Sequence, residues 1–258
     1  MKIAAYQFEV TGNIESNVAA ISEGISQAVA SGVQFLILPE CALTGYPPRD
    51  IVSSDQVDFS FVARALASFQ QTADLHDICI LVGTIEKEGD KYYNRAVLLK
   101  PNSEMQWYDK RALYGWDSDN FACGEKDGIF KIGDLSVGVR ICFEVRFPEY
   151  YRELYRAKTD LDVTIFYDVS DRDDEGRYQM IKSHLITRAV ENVTPCFSVD
   201  AIRPFQTAPT CLIDASGRVP AELPRNDRGL LVYDFTPREP DFGELGRIKY
   251  SNHLLGLN

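Results

Sequence analysis

Apolar residues along the chain switch repeatedly between two spacings. Residues 2–8 (KIAAYQF) form a short, mostly apolar run that reads as a first strand. Over 13–30 the spacing becomes helical, with Ile14, Val18, Ile21, Ile25, Ala28 and Val29 on one face, and Gly32 follows as a stop signal. VQFLIL (33–38) is continuously apolar, as in a strand buried on both faces. Helical spacing returns over 58–73, and ICILVGTIE (78–86) and YYNRAVLLK (92–100) read as strands joined by the turn-like KEGD.

The middle of the chain is rich in strands: 105–109 (MQWYD), 128–132 (GIFKI) and 136–142 (SVGVRIC). A helix is predicted over 146–157, starting near Pro148, where the missing N–H of proline costs nothing. LDVTIFY (161–167) is another buried strand, 177–192 a helix, and strands are predicted near 195–200, 210–213 and 229–235. Residues 236–258 read as an irregular, charged arm that packs on a partner. Alternating strands and helices imply an α/β layered fold. The helix-free stretch between 78 and 142 adds antiparallel pairs, so the sheet is not simply doubly wound. No linker rich in Pro, Gly or Ser divides the chain, and a single domain over 1–258 is expected.

Composition narrows the classes. The chain has 258 residues, 45% apolar and 25% charged, which is ordinary for a globular protein. A net charge of −11 repels phosphate backbones and argues against nucleic acid as a partner. No stretch approaches the ~18 uncharged apolar residues needed to cross a bilayer, so no membrane span is expected. Glu9 arrives too early for a signal peptide, and a cytoplasmic location is expected. The six cysteines include no CxxC pair and the three histidines are far apart, which argues against a disulfide framework and a metal site.

Three local patterns carry chemistry. Glu40 directly follows a buried strand and a proline in FLILPECALTGYPPRD (35–50). Such strand ends are where α/β folds build sites. Lys110 follows a strand in WYDKRAL (107–113). Cys142 stands at a strand-to-helix turn in VGVRICFEVRFPEY (137–150). There a helix N-terminus stabilises a thiolate, and the N–H of Phe143 can face a substrate oxygen. Taken singly, each has an ordinary structural reading: a surface carboxylate, a solvated lysine, a buried cysteine.

Together the motifs resemble the carbon–nitrogen hydrolase (nitrilase) superfamily, on Leu38-Pro39-Glu40, then Asp109-Lys110-Arg111, then Cys142 through Arg146-Phe147-Pro148-Glu149. Gln7, Asn17 and the run Arg188-Ala189 with Glu191-Asn192 extend the resemblance. It implies a four-layer α-β-β-α sandwich, no metal or organic cofactor, and dimers packed helix layer to helix layer. For that interface the helices at 146–157 and 177–192, with Tyr150, Tyr151 and Tyr155 exposed, are candidates. It also implies an amidase-like hydrolase of a small amide through a thioester on Cys142. N-carbamoyl hydrolysis, nitrile hydrolysis on the same site, or a catalytically silent scaffold are the alternatives. A protonated thiol needs a base. With no local histidine motif, Glu40 takes that role, and Lys110 with the Phe143 N–H would hold the oxyanion.

Two departures from the family pattern stand out. The usual second Glu is absent, and Asp117, four residues before Phe121, is the candidate replacement, with Asp119 the alternative. After the strand at 161–167 the chain has Tyr167-Asp168-Val169-Ser170-Asp171-Arg172 where relatives often carry Pro-Ala-x-Trp, which points to a polar or charged substrate. Tyr46, Glu144, Tyr167 and Asp168 are expected to contact substrate, with pocket loops at 114–127, 168–177 and 200–209. GYPPRD (45–50) also resembles glutaminase domains of glutamine-dependent synthetases, but no GxxxxGK[ST] nucleotide loop is present, so a stand-alone amidase is preferred.

Overall fold

The computed structural model describes residues 1–257 and contains two six-stranded sheets. The first runs in the order β14 (Gly229–Asp234), β1 (Lys2–Gln7), β2 (Phe35–Ile37), β3 (Cys79–Glu88), β4 (Lys91–Leu99), β5 (Gln106–Asp109). The second runs β13 (Ala221–Glu222), β12 (Cys211–Ile213), β10 (Cys196–Val199), β8 (Leu161–Ile165), β7 (Leu135–Ile141), β6 (Ile129–Ile132). Each has a parallel centre, β1-β2-β3 and β7-β8-β10, flanked by antiparallel strands. The antiparallel pairs β3-β4, β4-β5 and β6-β7 account for the strand-rich stretch between 78 and 142, which one short helix, α3 (Trp116–Asn120), interrupts against expectation. A small pair, β9 (Val169–Ser170) with β11 (Phe205–Gln206), lies apart from both sheets.

Strand periodicity explains the layering. Side chains alternate across a strand, so Phe35 and Ile37 of β2 enter the core between the sheets, with Val137, Val139 and Ile141 of β7 from the other side. Leu36 and Leu38 face the opposite way, onto α1 (Ile14–Ala30) and α2 (Phe59–His76). On the far side of the second sheet, α4 (Pro148–Ala157) and α5 (Glu175–Asn192) bury Tyr151, Leu154, Ile181 and Leu185. The order helix, sheet, sheet, helix is the four-layer α-β-β-α sandwich, and the doubly buried strands are why the chain carries continuous apolar runs. The helix starts are set by capping: Asn13 and Asp58 accept from Ser16 N and Phe61 N at the first turns of α1 and α2.

Two expectations change. The expected irregular arm at 236–258 contains a helix, α6 (Phe242–Leu255), and its last residue, 258, lies outside the described residues. Its apolar residues make no single buried stripe, and Phe242, Tyr250 and Leu254 are exposed, which hid the helix from a periodicity reading. Capping holds it instead: Asp241 and Glu244 exchange backbone and side-chain hydrogen bonds at the first turn, and Gly256 closes the other end. Nor are the aromatics of α4 all exposed. Tyr151 is fully buried and bonded to Thr164, and Tyr155 is covered by α6, donating to Asn252 at 2.7 Å. Among the described residues no helix is long and apolar enough to cross a membrane.

Candidate active site

The chemistry-bearing side chains come from the carboxyl ends of strands in both sheets. Glu40 leaves the end of β2 through Leu38-Pro39 and is fully buried. Its backbone passes so close to β3 that only glycine fits opposite: a Cβ on Gly83 would lie 2.1 Å from Pro39 O and 2.7 Å from Glu40 Cα. The carboxylate accepts three hydrogen bonds, from Asn94 Nδ2 (2.6 Å), Lys110 Nζ (2.8 Å) and Tyr167 N (2.8 Å). Two donors come from the first sheet and its exit loop, and the third from the end of the second. The carboxylate therefore ties the two sheets together.

Lys110 follows β5 and is itself buried. Its ammonium donates to Glu40 and, at 2.8 Å, to Asp117 Oδ2. An ammonium has three N–H donors; two are taken, and Lys110 also lines the main cavity. Asp117 sits in a short helical turn, α3 (Trp116–Asn120), and its other oxygen accepts from the Tyr46 hydroxyl at 2.5 Å. Of the two aspartates, Asp117 is buried against Lys110, whereas Asp119 is exposed.

Cys142 begins a short 3₁₀ turn (Cys142–Arg146) directly after β7, with φ at 46°, a conformation seldom adopted by a residue with a side chain. It lines the same cavity as Lys110 and Asp117, a space of about 680 Å³. Phe143 is the second residue of this turn, where backbone N–H groups lack an intrahelical partner, and it also lines the cavity. Tyr46 and Tyr167 stack at 5.0 Å between centroids to form one wall.

Burial sets the protonation states. Burial, then the negative charge of Glu40, push the Cys142 thiol well above its ordinary value, so it rests protonated despite the nearby Lys110. Burial likewise raises the Glu40 carboxyl, with Lys110 opposing and Asp117 adding to the rise. Burial disfavours the Lys110 ammonium, but Glu40 and the surrounding acidic groups outweigh it and hold its pKa well above normal. The cluster thus pairs a firmly charged ammonium with a carboxylate that is more basic than usual.

Several expectations need revising. Glu144 does not line the cavity. It is fully buried, accepting from Ile141 N (2.7 Å), Arg111 N (2.7 Å) and the Tyr108 hydroxyl (2.8 Å). Its neighbour in sequence faces the cavity, but the tight turn aims Glu144 backwards, where it staples the Cys142 turn to the segment after Lys110. The loop 200–209 supplies no lining residue. It buttresses Asp168 instead, through Asp200, which accepts from Asp168 N, and Thr207, which donates to Asp168. In its place the loop at 46–49 lines the cavity with Tyr46, Pro48 and Arg49. Tyr46, Tyr167 and Asp168 line it. The sequence reading passed over Asn94, Gly83, Arg49 and Arg177. Asn94 carried a usable signal: an asparagine, with poor strand propensity, in the middle of a predicted strand. Among the described residues no three His, Cys, Asp or Glu side chains are grouped as metal ligands.

Known proteins share this arrangement of sequence and fold. Over 177 residues the chain is 34% identical to a glutamine-dependent NAD(+) synthetase of Synechocystis sp., matching 62% of this chain but only 31% of the synthetase. It is 30% identical over 224 residues to a deaminated glutathione amidase, also of Synechocystis sp., covering 79% of this chain and 76% of that protein. The crystal structure of an amidase from Nesterenkonia sp. superposes with a TM-score of 0.80 at 24% identity, covering 96% of this chain and 95% of that one, a likeness of fold. The family pattern for carbon-nitrogen hydrolases matches residues 2–239. Strand-end placement of Lys110 and Cys142 on one cavity, with Glu40 buried behind it against Lys110, and a sequence pattern running through nearly the whole chain, lead to one conclusion: the chain belongs to the carbon-nitrogen hydrolase family.

Proposed function

We propose that the protein hydrolyses the carbon–nitrogen bond of a small carboxamide through a thioester on Cys142. The observation that carries this reading is the buried Lys110 ammonium, bonded to Glu40 and Asp117 and lining the cavity that Cys142 also lines.

Each group has one task that its surroundings suit. Glu40 accepts the Cys142 proton as sulfur attacks the amide carbon; its raised pKa suits it to hold that proton and then release it. Negative charge gathers on the carbonyl oxygen, where the third N–H of Lys110 and the Phe143 N–H meet it. Glu40 then passes the proton to nitrogen, the C–N bond breaks, ammonia leaves and the acyl group remains on sulfur. Water, giving a proton to Glu40, attacks the thioester; the acid departs and the thiol is restored. No step requires a cofactor. N-carbamoyl compounds and nitriles present an electrophilic carbon to the same groups and are the secondary readings.

The six cysteines, none paired in a disulfide, fit a reducing compartment. The exposed Phe242, Tyr250 and Leu254 of α6 support association of two copies through the helical layer.

Ammonia release across a panel of amides, carbamoyl compounds and nitriles, with mass spectrometry of the intact protein, tests the reading. An acyl adduct on Cys142 is expected, and Cys142→Ala should lose at least ~10³-fold in turnover while melting near the wild type. Ammonia release by Cys142→Ala at the wild-type rate overturns it.

A further inference from the structure

The cavity is lined by both aromatic and charged side chains, and the charged ones differ in exposure. Lys110 is 2% exposed, whereas Arg49 and Arg177 are 31% and 41% exposed at their side chains. Both arginines line the cavity together with Cys142, and both also line the shallow surface hollow beside it.

The polar groups there are unevenly committed. The carboxylates of the lining already have cationic partners. Asp117 accepts from Lys110 and Tyr46, Asp168 from Arg177 and Thr207, and Asp171 from Arg49. The guanidinium donors are in surplus. Arg177 gives Nε (2.6 Å) and Nη2 (2.8 Å) to Asp168, and Arg49 gives only Nη1 (2.7 Å) to Asp171. A guanidinium carries five N–H donors in a planar fork that matches a carboxylate. Among the described residues, Nη1 of Arg177 and both Nε and Nη2 of Arg49 make no hydrogen bond.

We propose that Arg49 and Arg177 bind a carboxylate on the acyl portion of the substrate, so that the preferred substrate is a carboxamide that also carries a carboxylate. This rests on the amidase reading and adds its substrate class. Arg177 is held in place beforehand: Asp168 is buried, its N–H is bonded to Asp200, and its bidentate grip fixes the guanidinium plane. Arg49 is the adaptable partner. Asp171 is 80% exposed, and an exposed pair of this kind contributes little, so a substrate carboxylate can take its place at small cost. The chain as a whole carries −11 and repels anions at long range, so attraction must come from these two groups at short range.

The test compares glutaramate with its neutral methyl ketone isostere in the wild type, Arg49→Gln and Arg177→Lys. Arg177→Lys keeps a cation against buried Asp168, and thermal melting of each variant checks that the fold is kept. The wild type should favour glutaramate by about 10-fold or more in kcat/KM, mostly through KM, with that KM rising as salt is added. In Arg49→Gln the preference should fall towards one, and in Arg177→Lys it should shrink. Equal hydrolysis of the two amides by the wild type, or a preference untouched by both substitutions, overturns the carboxylate site and leaves the amidase reading standing. If neither amide releases ammonia and neither acylates Cys142, the amidase reading falls and this inference with it.

Discussion

The turn after β2 and the turn after β7 are built alike and finished differently. Both follow parallel strands whose side chains meet between the sheets, and both contain a cysteine in the left-handed region, Cys41 at φ 50° and Cys142 at φ 46°. At the first turn the group proposed to react is Glu40, one residue before the unusual φ, fully buried and held by three donors, which leaves room on the carboxylate for one more. At the second it is the residue at that φ itself, and among the described residues the Cys142 thiol makes no hydrogen bond. The difference suits the roles proposed for the two groups. A general base works only when its lone pair is held in one direction, whereas a nucleophile must be free to reach carbon and then release it. The supports differ in kind as well. Gly83 lets the Glu40 backbone lie against β3 by having no side chain, and Glu144 holds the Cys142 turn with a carboxylate.

Four measurements break or sharpen this contrast. Glu40→Gln keeps the shape of the first turn but removes its basicity, and kcat should fall by roughly 10²–10⁴; a loss under 10-fold would show that another group takes the thiol proton. Glu144→Ala strips the partners from buried N–H groups at the second turn, costing on the order of 1–3 kcal/mol for each group left unpaired. Both melting temperature and kcat should drop, whereas a role in substrate contact would raise KM alone. Gly83→Ala forces a Cβ against the Pro39 carbonyl, with ~1–3 kcal/mol of overpacking strain and a displaced Glu40. Turnover should fall further than stability alone explains, since Cys142 is untouched. The smallest effect is in pH. Protonated Glu40 cannot accept the thiol proton, so kcat/KM should be lost as pH falls through its pKa. Burial places that limb above the ordinary glutamate range. A limb at the ordinary value would mean that the pair with Lys110 dominates burial.

The legibility of the chain varied with the physical origin of each feature. Strands buried on both faces announce themselves where both sets of side chains are apolar, as at 35–38, whereas at 161–167 one face carries the buried, hydrogen-bonded Asp162 and Thr164 and only the other is wholly apolar. A helix held by caps instead of an apolar stripe, as at α6, leaves little trace in periodicity. Motif order marked Glu40, Lys110 and Cys142 as one set. The direction of Glu144 was not legible: it depends on a single φ at Cys142.

Local sequence by itself determined the alternation of elements, the doubly buried strands and the strand-end placement of the three reactive residues, because these follow from side-chain periodicity and short-range backbone preference. Only the tertiary structure decided that Asp117, not Asp119, meets Lys110, that Asn94 and Tyr167 hold Glu40, and that two arginines border the cavity. The Asp117 contact spans 7 positions but depends on how the short turn at 116–120 folds back, and the two contacts to Glu40 span 54 and 127 positions, which no local pattern encodes.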